Sequence, residues 1–318
     1  MPFVHPLHRT LLLVAQPEYL ATDDLLVIRD KIVGQAPDLR VLVVGRADRA
    51  DLIDRALWQR PTLTVSFGPL GKFRSLRGPI FFNQAVPKLD QFRQMSALGV
   101  CTPKTALFRP GMALPLEQWG EFCILKPADL SVTSTGRGIY LYRRHRLGAF
   151  TLSELPLDHY ARSGRMIVQA FVNSGPHFSV YRCLTLFGEV IYQSISEDPE
   201  PHPSLDSPDA VIESLLPEPS RSRTAPRIDT DPEVMAFGSS VHRAFPEIPL
   251  LGVDILRDFE TGQLYAIEVN AGGNVWHLSS PRTQVSRSIT KVQQYLKTFQ
   301  SYDKAALALI RATRRHAR

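Results

Sequence analysis

The stretch GVDILRDFETGQLYAIEVN, residues 252–270, constrains this chain more than any other. Two apolar runs flank a polar, glycine-bearing turn, which is the pattern of two antiparallel strands. Each run is interrupted by one acid, Asp254 in the first and Glu268 in the second, and Asn270 follows two places later. Successive side chains of a strand point to opposite faces, so an odd-length turn at DFETG puts Asp254, Glu268 and Asn270 on one face. The carboxylates then lie opposite or diagonal to each other, roughly 5–8 Å apart. Like charges at that separation repel, so a positive partner is expected between them. A hard divalent cation meets the need, because Mg²⁺ takes one or two carboxylates together with substrate phosphate oxygens. The plain alternative is a half-exposed hairpin whose polar face meets water.

Complementary groups precede the hairpin. Lys126 closes the run EFCILK and abuts Pro127. The loop SVTSTGRG that follows, with Ser134, Gly136 and Gly138, can aim backbone N–H groups at an anion, since glycine permits close approach. A strand-end lysine alone is an ordinary snorkelling side chain, and a glycine loop alone is weak evidence. Lysine, glycine loop and acid–acid–amide hairpin in that order form a more specific pattern.

The remaining sequence reads as α/β, with an α+β C-terminal part. Over residues 1–87, apolar runs (TLLLVAQ, LRVLVVGR, TLTVSF) alternate with helical ones (TDDLLVIRDKIVGQAP, RADLIDRALWQR), which argues a small parallel α/β domain. Residues 88–165 form a central unit with the glycine loop, and residues 166–300 a C-terminal unit with the acidic hairpin. Residues 197–231 are dense in Pro, Ser and charge and are expected to form a mobile insertion or lid. Residues 301–318 are a basic helical tail. At 318 residues the chain has length for two or three domains.

Composition excludes several classes. The three cysteines, Cys101, Cys123 and Cys183, have no CxxC spacing, so neither a disulfide framework nor a structural zinc site is supported. LLLVA is too short for the core of a signal peptide, and no run reaches membrane-spanning length, so a soluble cytoplasmic protein is expected. GPLGKF is not a phosphate loop, because Ser66 stands where its first glycine belongs and Phe73 replaces the Ser or Thr. The formal charge of +6 favours anionic partners. The basic runs RRHR and RATRRHAR read as solvated surface. Nucleic-acid binding needs cations interleaved with aromatics on one surface, and only the short tail offers charge.

In order and residue type the chain resembles the ATP-grasp superfamily over residues 88–274, most tightly in NQAVPKLDQFRQMSALGVCTPKT, CILKPADLSVTSTGRGI and GVDILRDFETGQLYAIEVNAGG. That resemblance implies an ATP-grasp architecture behind the N-terminal α/β domain, and an ADP-forming ligase that joins a small-molecule or peptide carboxylate to an amine through an acylphosphate. It implies that Lys88 and Lys126 contact ATP phosphates, that the loop at Ser134, Gly136 and Gly138 closes over them, and that Asp254, Glu268 and Asn270 bind Mg²⁺ or Mn²⁺. Arg182 falls where members place a phosphate-contacting arginine, with a paired charge inside the sheet as the alternative. Gln169, Phe171, Val172 and His177 stand at the adenine and ribose positions, although members carry acids where Gln169 and His177 stand. Phe171 serves equally as core. Asn274, Trp276 and His277 are substrate candidates, with packing the competing role for Trp276. A homodimer is compatible with this architecture. A kinase with a hydroxyl acceptor and a nucleotide sensor without turnover remain open alternatives.

Overall fold

The computed structural model describes residues 9–46, 60–71, 78–128, 138–155, 157, 159–163, 165–213, 226–271, 275–279 and 289–318. Among the described residues thirteen strands make three sheets. The first is four-stranded and wholly parallel, in the order β2-β1-β3-β4, with β1 at Arg9–Ala15, β2 at Leu39–Gly45, β3 at Thr62–Ser66 and β4 at Ile80–Phe82. Both faces of β1 are covered, so it reads as an unbroken apolar run rather than an alternating one. Helix α1, Thr22–Gln35, covers this sheet through Leu25, Ile28 and Ile32. Its N-cap is Ala21, whose amide is satisfied from afar by Ser279 Oγ at 3.0 Å.

The second sheet runs β5-β8-β6-β7, from Thr105–Leu107, Met166–Ala170, Phe122–Pro127 and Tyr140–Arg143. Strand β8 therefore belongs by pairing to this central sheet, past the boundary expected at residue 165. The third sheet is β11-β10-β9-β12-β13, from Arg227–Ile228, Glu189–Glu197, Ser179–Leu186, Leu250–Arg257 and Leu264–Asn270, and every pair in it is antiparallel. The chain is thus mixed α/β, parallel at the start and antiparallel beyond it.

Helix α2, Lys88–Ala97, links the first two sheets, and α3, Pro232–His242, lies on one face of the third. Asp231 caps α3, accepting from the Glu233 and Val234 amides, with Pro232 at the first helical position where it loses nothing. The C-terminal stretch divides into α4, Ile289–Phe299, and α5, Ser301–His316, at Gln300, whose φ of 52° breaks the helix. The tail is not a solvated appendage. Ala305, Ala306, Leu309 and Ile310 of α5 are buried in one core with β1, α1 and part of the third sheet. Its cations stay outside, Arg311 pairing with Glu189 and Arg314 with Asp38.

The described part of the polar segment 197–231 is fastened to the second sheet. A single helical turn at Asp209–Ile212 puts Ile212 wholly out of solvent beside Leu141. Arg143 fastens it, donating to the Leu205 and Ser207 carbonyls at 2.8 and 2.9 Å and pairing with Asp209, while its guanidinium lies over Phe122. Arg146 adds a pair with Glu213. The run RRHR is therefore a clamp on this segment rather than solvated surface. Residues 214–225, with Arg221 and Arg223, and most of the expected helix RADLIDRALWQR lie outside the described residues.

Candidate active site

The acidic hairpin reaches its predicted arrangement by an unpredicted route. Six residues, 258–263, join β12 to β13, so the first pairs match odd with even: Arg257 with Leu264, Leu256 with Tyr265, Ile255 with Ala266. Continued unchanged, that register sets Asp254 against Ile267 and turns Glu268 to the other face. A bulge intervenes at Ile267, and beyond it Asp254 opposes Glu268 and Gly252 opposes Asn270. The extra residue restores the shared face that the turn parity denies. The Ile267 carbonyl accepts from Lys126 Nζ at 3.4 Å.

On the other side of β12, Asp254 opposes Arg182 of β9. Arg182, Asp254 and Glu268 thus stand in one row across three strands. Arg182 donates to both carboxylate oxygens of Asp254, from Nη2 to Oδ2 at 2.9 Å and from Nε to Oδ1. Burial works against the guanidinium charge, but the Asp254 carboxylate more than restores it, so the Arg182 pKa is raised. Gly252 makes room for this side chain, since a Cβ there would lie 2.9 Å from Arg182 Nη1. Asn270 Nδ2 also donates to Asp254 Oδ2, at 3.1 Å.

Two lysines close the site. Lys88, the first residue of α2, is 4% exposed and pairs with Glu268 at 3.9 Å. Burial lowers its pKa, against the pull of Glu268. Lys126, at the end of β6, is 6% exposed and donates to Gln169 Oε1 at 3.0 Å, with Phe92 beneath it. Burial lowers its pKa to about 8; Glu268 and Asp254 oppose the shift and Lys88 reinforces it.

The two carboxylates are thus not left to repel each other until a metal arrives, because Arg182 and Lys88 already answer them. Three cations against two carboxylates leave the site formally positive, which suits a polyphosphate. Among the described residues no group of three or more His, Cys, Asp or Glu side chains that could hold a metal occurs. Two opposed carboxylates and an amide oxygen are an all-oxygen donor set, however, and that set fits Mg²⁺, which takes only one or two carboxylates from protein.

Other expected positions take different roles. Gln169 is 3% exposed, and its Nε2 donates to Thr105 Oγ1 at 2.8 Å, so it holds Lys126 rather than facing a base. The Phe171 amide is spent on the Phe122 carbonyl at 3.1 Å, and its partly buried ring packs edge-on against Phe122 and Phe178. Val172, beside it at the exit of β8, is buried. His177 Nδ1 lies 2.9 Å from the Asp198 carbonyl, so that nitrogen donates and Nε2 is left to face other groups. Gly138 has a φ of 77°, and the Tyr160 ring fills the space a Cβ would need, so its freedom serves packing rather than approach to an anion. Trp276 is 1% exposed, with its Nε1 given to Asp24 at 2.6 Å and its ring stacked on Phe67. It is a core residue. Ser134, Gly136 and Asn274 lie outside the described residues.

No family model and no curated protein sequence matches this chain. The chain is similar to ATP-grasp ligases. A D-alanine–D-alanine ligase from Bacillus anthracis complexed with ATP has 12% identity and a TM-score of 0.49, over 98% of this chain and 99% of that one. The ATP-grasp ligase PsnB complexed with a precursor variant, Mg and ADP has 12% identity and a TM-score of 0.49, over 95% and 97%. A RimK domain ATP-grasp protein from Sphaerobacter thermophilus has 10% identity and a TM-score of 0.48, over 94% and 98%.

Proposed function

We propose that this chain is an ATP- and Mg²⁺-dependent ligase that joins a carboxylate to an amine through an acylphosphate. The observation that carries this reading is the convergence of Lys88, Lys126, Arg182, Asp254, Glu268 and Asn270 at one end of one sheet face, with both lysines almost wholly out of water. A lysine ammonium in such a place acts on phosphate as a near-unscreened point charge. Lys88 and Lys126 neutralise the phosphate oxygens, and Arg182 orients Asp254 while adding positive charge beside it. Asp254, Glu268 and Asn270 are the residues that hold Mg²⁺, which when bound withdraws charge from the phosphate oxygens. Val172 and His177, through its Nε2, are assigned to the nucleoside.

The chemistry needs no covalent enzyme intermediate. A substrate carboxylate takes the terminal phosphoryl group of ATP, ADP leaves, and an amine then displaces phosphate to form the amide. Preorganised charge and positioning supply the rate. The free thiols of Cys101, Cys123 and Cys183 suit the reducing cytoplasm in which ATP is abundant.

The test is ADP release with Mg²⁺ across pools of carboxylates and amines, with mass spectrometry of the product. An amide formed one for one with ADP supports the ligase. ADP formed only with polyols, as a phosphate ester, replaces it with a kinase. ATP binding that never gives ADP leaves a sensor.

A further inference from the structure

We propose that Gln91 is a positioning residue for the metal-facing stretch of β13, holding the one backbone amide between Glu268 and Asn270. The inference rests on the nucleotide and metal reading of this site. Strand β13 is the edge of its sheet, so its outward N–H groups have no neighbouring strand to accept them. At the site end that place is taken by a side chain: the Val269 amide donates to Gln91 Oε1 at 2.9 Å. The glutamine is itself fixed, since Nε2 donates to the Val86 carbonyl at 2.8 Å and the residue is 2% exposed.

Gln91 sits one helical turn after Lys88, so both point from the same face of α2. One meets the Val269 amide and the other the Glu268 carboxylate. The start of α2 thus grips consecutive residues of β13, backbone and side chain together. A buried amide left without an acceptor cannot turn to water, so the strand must move to satisfy it. Such a movement is felt first at Glu268 and Asn270, its immediate neighbours.

Asn83 offers a natural control. It is wholly buried and holds both backbone groups of Leu250, donating to the carbonyl at 2.8 Å and accepting from the amide at 3.2 Å. That clamp sits at the far end of β12, about 13 Å along the strand from Asp254.

The experiment compares Q91M and N83L in the full chain, titrating Mn²⁺ by electron paramagnetic resonance in the presence of ATP, with thermal unfolding and amide exchange of the metal-free protein alongside. Q91M is expected to weaken Mn²⁺ by about tenfold or more, the usual cost of removing a group that orients a metal ligand. It should also speed exchange at Val269. N83L should unfold at a lower temperature and leave Mn²⁺ affinity unchanged. Q91E keeps an acceptor for the amide and should recover most of the affinity, which guards against Q91M failing to fold. Wild-type affinity in Q91M, equal weakening by N83L, or no recovery in Q91E would each overturn the proposal while leaving the function intact. A wild-type protein that holds no Mn²⁺ with ATP would overturn both.

Discussion

The two faces of the third sheet share the same strands and the same alternation, yet they differ in chemistry. The face toward α3 is mostly apolar: Cys183, Leu251, Val253, Ile255, Ala266 and Val269 meet Val234, Val241 and Phe245, and its polar side chains Thr185 and Arg257 are met by His242 and by Asp231 and Glu233. The other face changes character midway. At one end Leu184, Leu186, Tyr192 and Leu250 are buried in the core shared with the parallel sheet and α5. Two residues along, the same face carries Arg182, Asp254, Glu268 and Asn270. The apolar end anchors the strands so firmly that the polar end need contribute little to stability. A site with charges in contact can therefore be held in place without being held together by its own attraction.

Four measurements test that division, and the largest effect is expected at the charged end. Glu268→Gln keeps the shape and removes one charge, so turnover should fall by two or more orders of magnitude, about 3 kcal/mol of lost electrostatic stabilisation. The thermal midpoint should hardly move, because Glu268 is partly exposed and its Lys88 partner is at 3.9 Å. Near-normal ADP release by the variant would remove Glu268 from the chemistry.

The next effect belongs to the apolar face. His242 of α3 is 4% exposed, with Nδ1 on the Thr185 hydroxyl at 2.8 Å, and burial lowers its pKa to about 4. The folded protein binds this proton less readily than the unfolded chain does. Stability should therefore fall as pH drops from about 6.5 to about 4, by up to ~3 kcal/mol, and level off below. Denaturant midpoints of the wild type and His242→Gln across that range check it. Parallel curves would show that His242 is not the titrating group.

Lys126→Ala should weaken ATP by about 2 kcal/mol and adenosine hardly at all, as expected when a charged hydrogen-bond donor to phosphate is removed. Calorimetry with both ligands separates this from a scaffold role, in which both weaken equally. The wild type should also lose ATP affinity as pH rises through about 8, where the ammonium loses its proton, and the variant should not.

The smallest effect tests how rigid the apolar face is. A Cβ on Gly238 of α3 would lie 2.8 Å from Cys183 Cβ. Gly238→Ala should cost about 1 kcal/mol net, since overpacking strain exceeds the gain in helix propensity. Turnover should be unchanged. A raised thermal midpoint would show that this face yields.

Much of the molecule was legible in its periodicities. The parallel strands read as runs without charge in their buried stretches, with Thr10, Thr62, Thr64 and Ser66 buried among the apolar residues. The hairpin reads as apolar runs with one acid each, because burial on both faces of a strand disfavours an unpaired charge and a lone acid therefore marks a break. Lys126, Asp254, Glu268 and Asn270 were named from residue type and order, Lys88 and Arg182 only from the resemblance to ATP-grasp proteins, and folding brings all six together. What failed to show was anything set by a partner distant in sequence. RRHR carries the charge of a solvated surface, and only its contact with residues 205–213 makes it a clamp. Gln169 resembles a base-reading position until its neighbours Lys126 and Thr105 are seen.

The sequence by itself therefore determined which residues carry charge on a strand and that two such strands form a hairpin, since both follow from local propensity and a period of two. Tertiary structure alone decided that the carboxylates share a face. The connection between β12 and β13 has the wrong parity, and the bulge at Ile267 corrects it. A bulge is one unpaired residue in a ladder, with no composition of its own. Its energy is recovered by groups elsewhere, Lys126 on the Ile267 carbonyl and Gln91 on the Val269 amide, which lie 141 and 178 residues away along the chain.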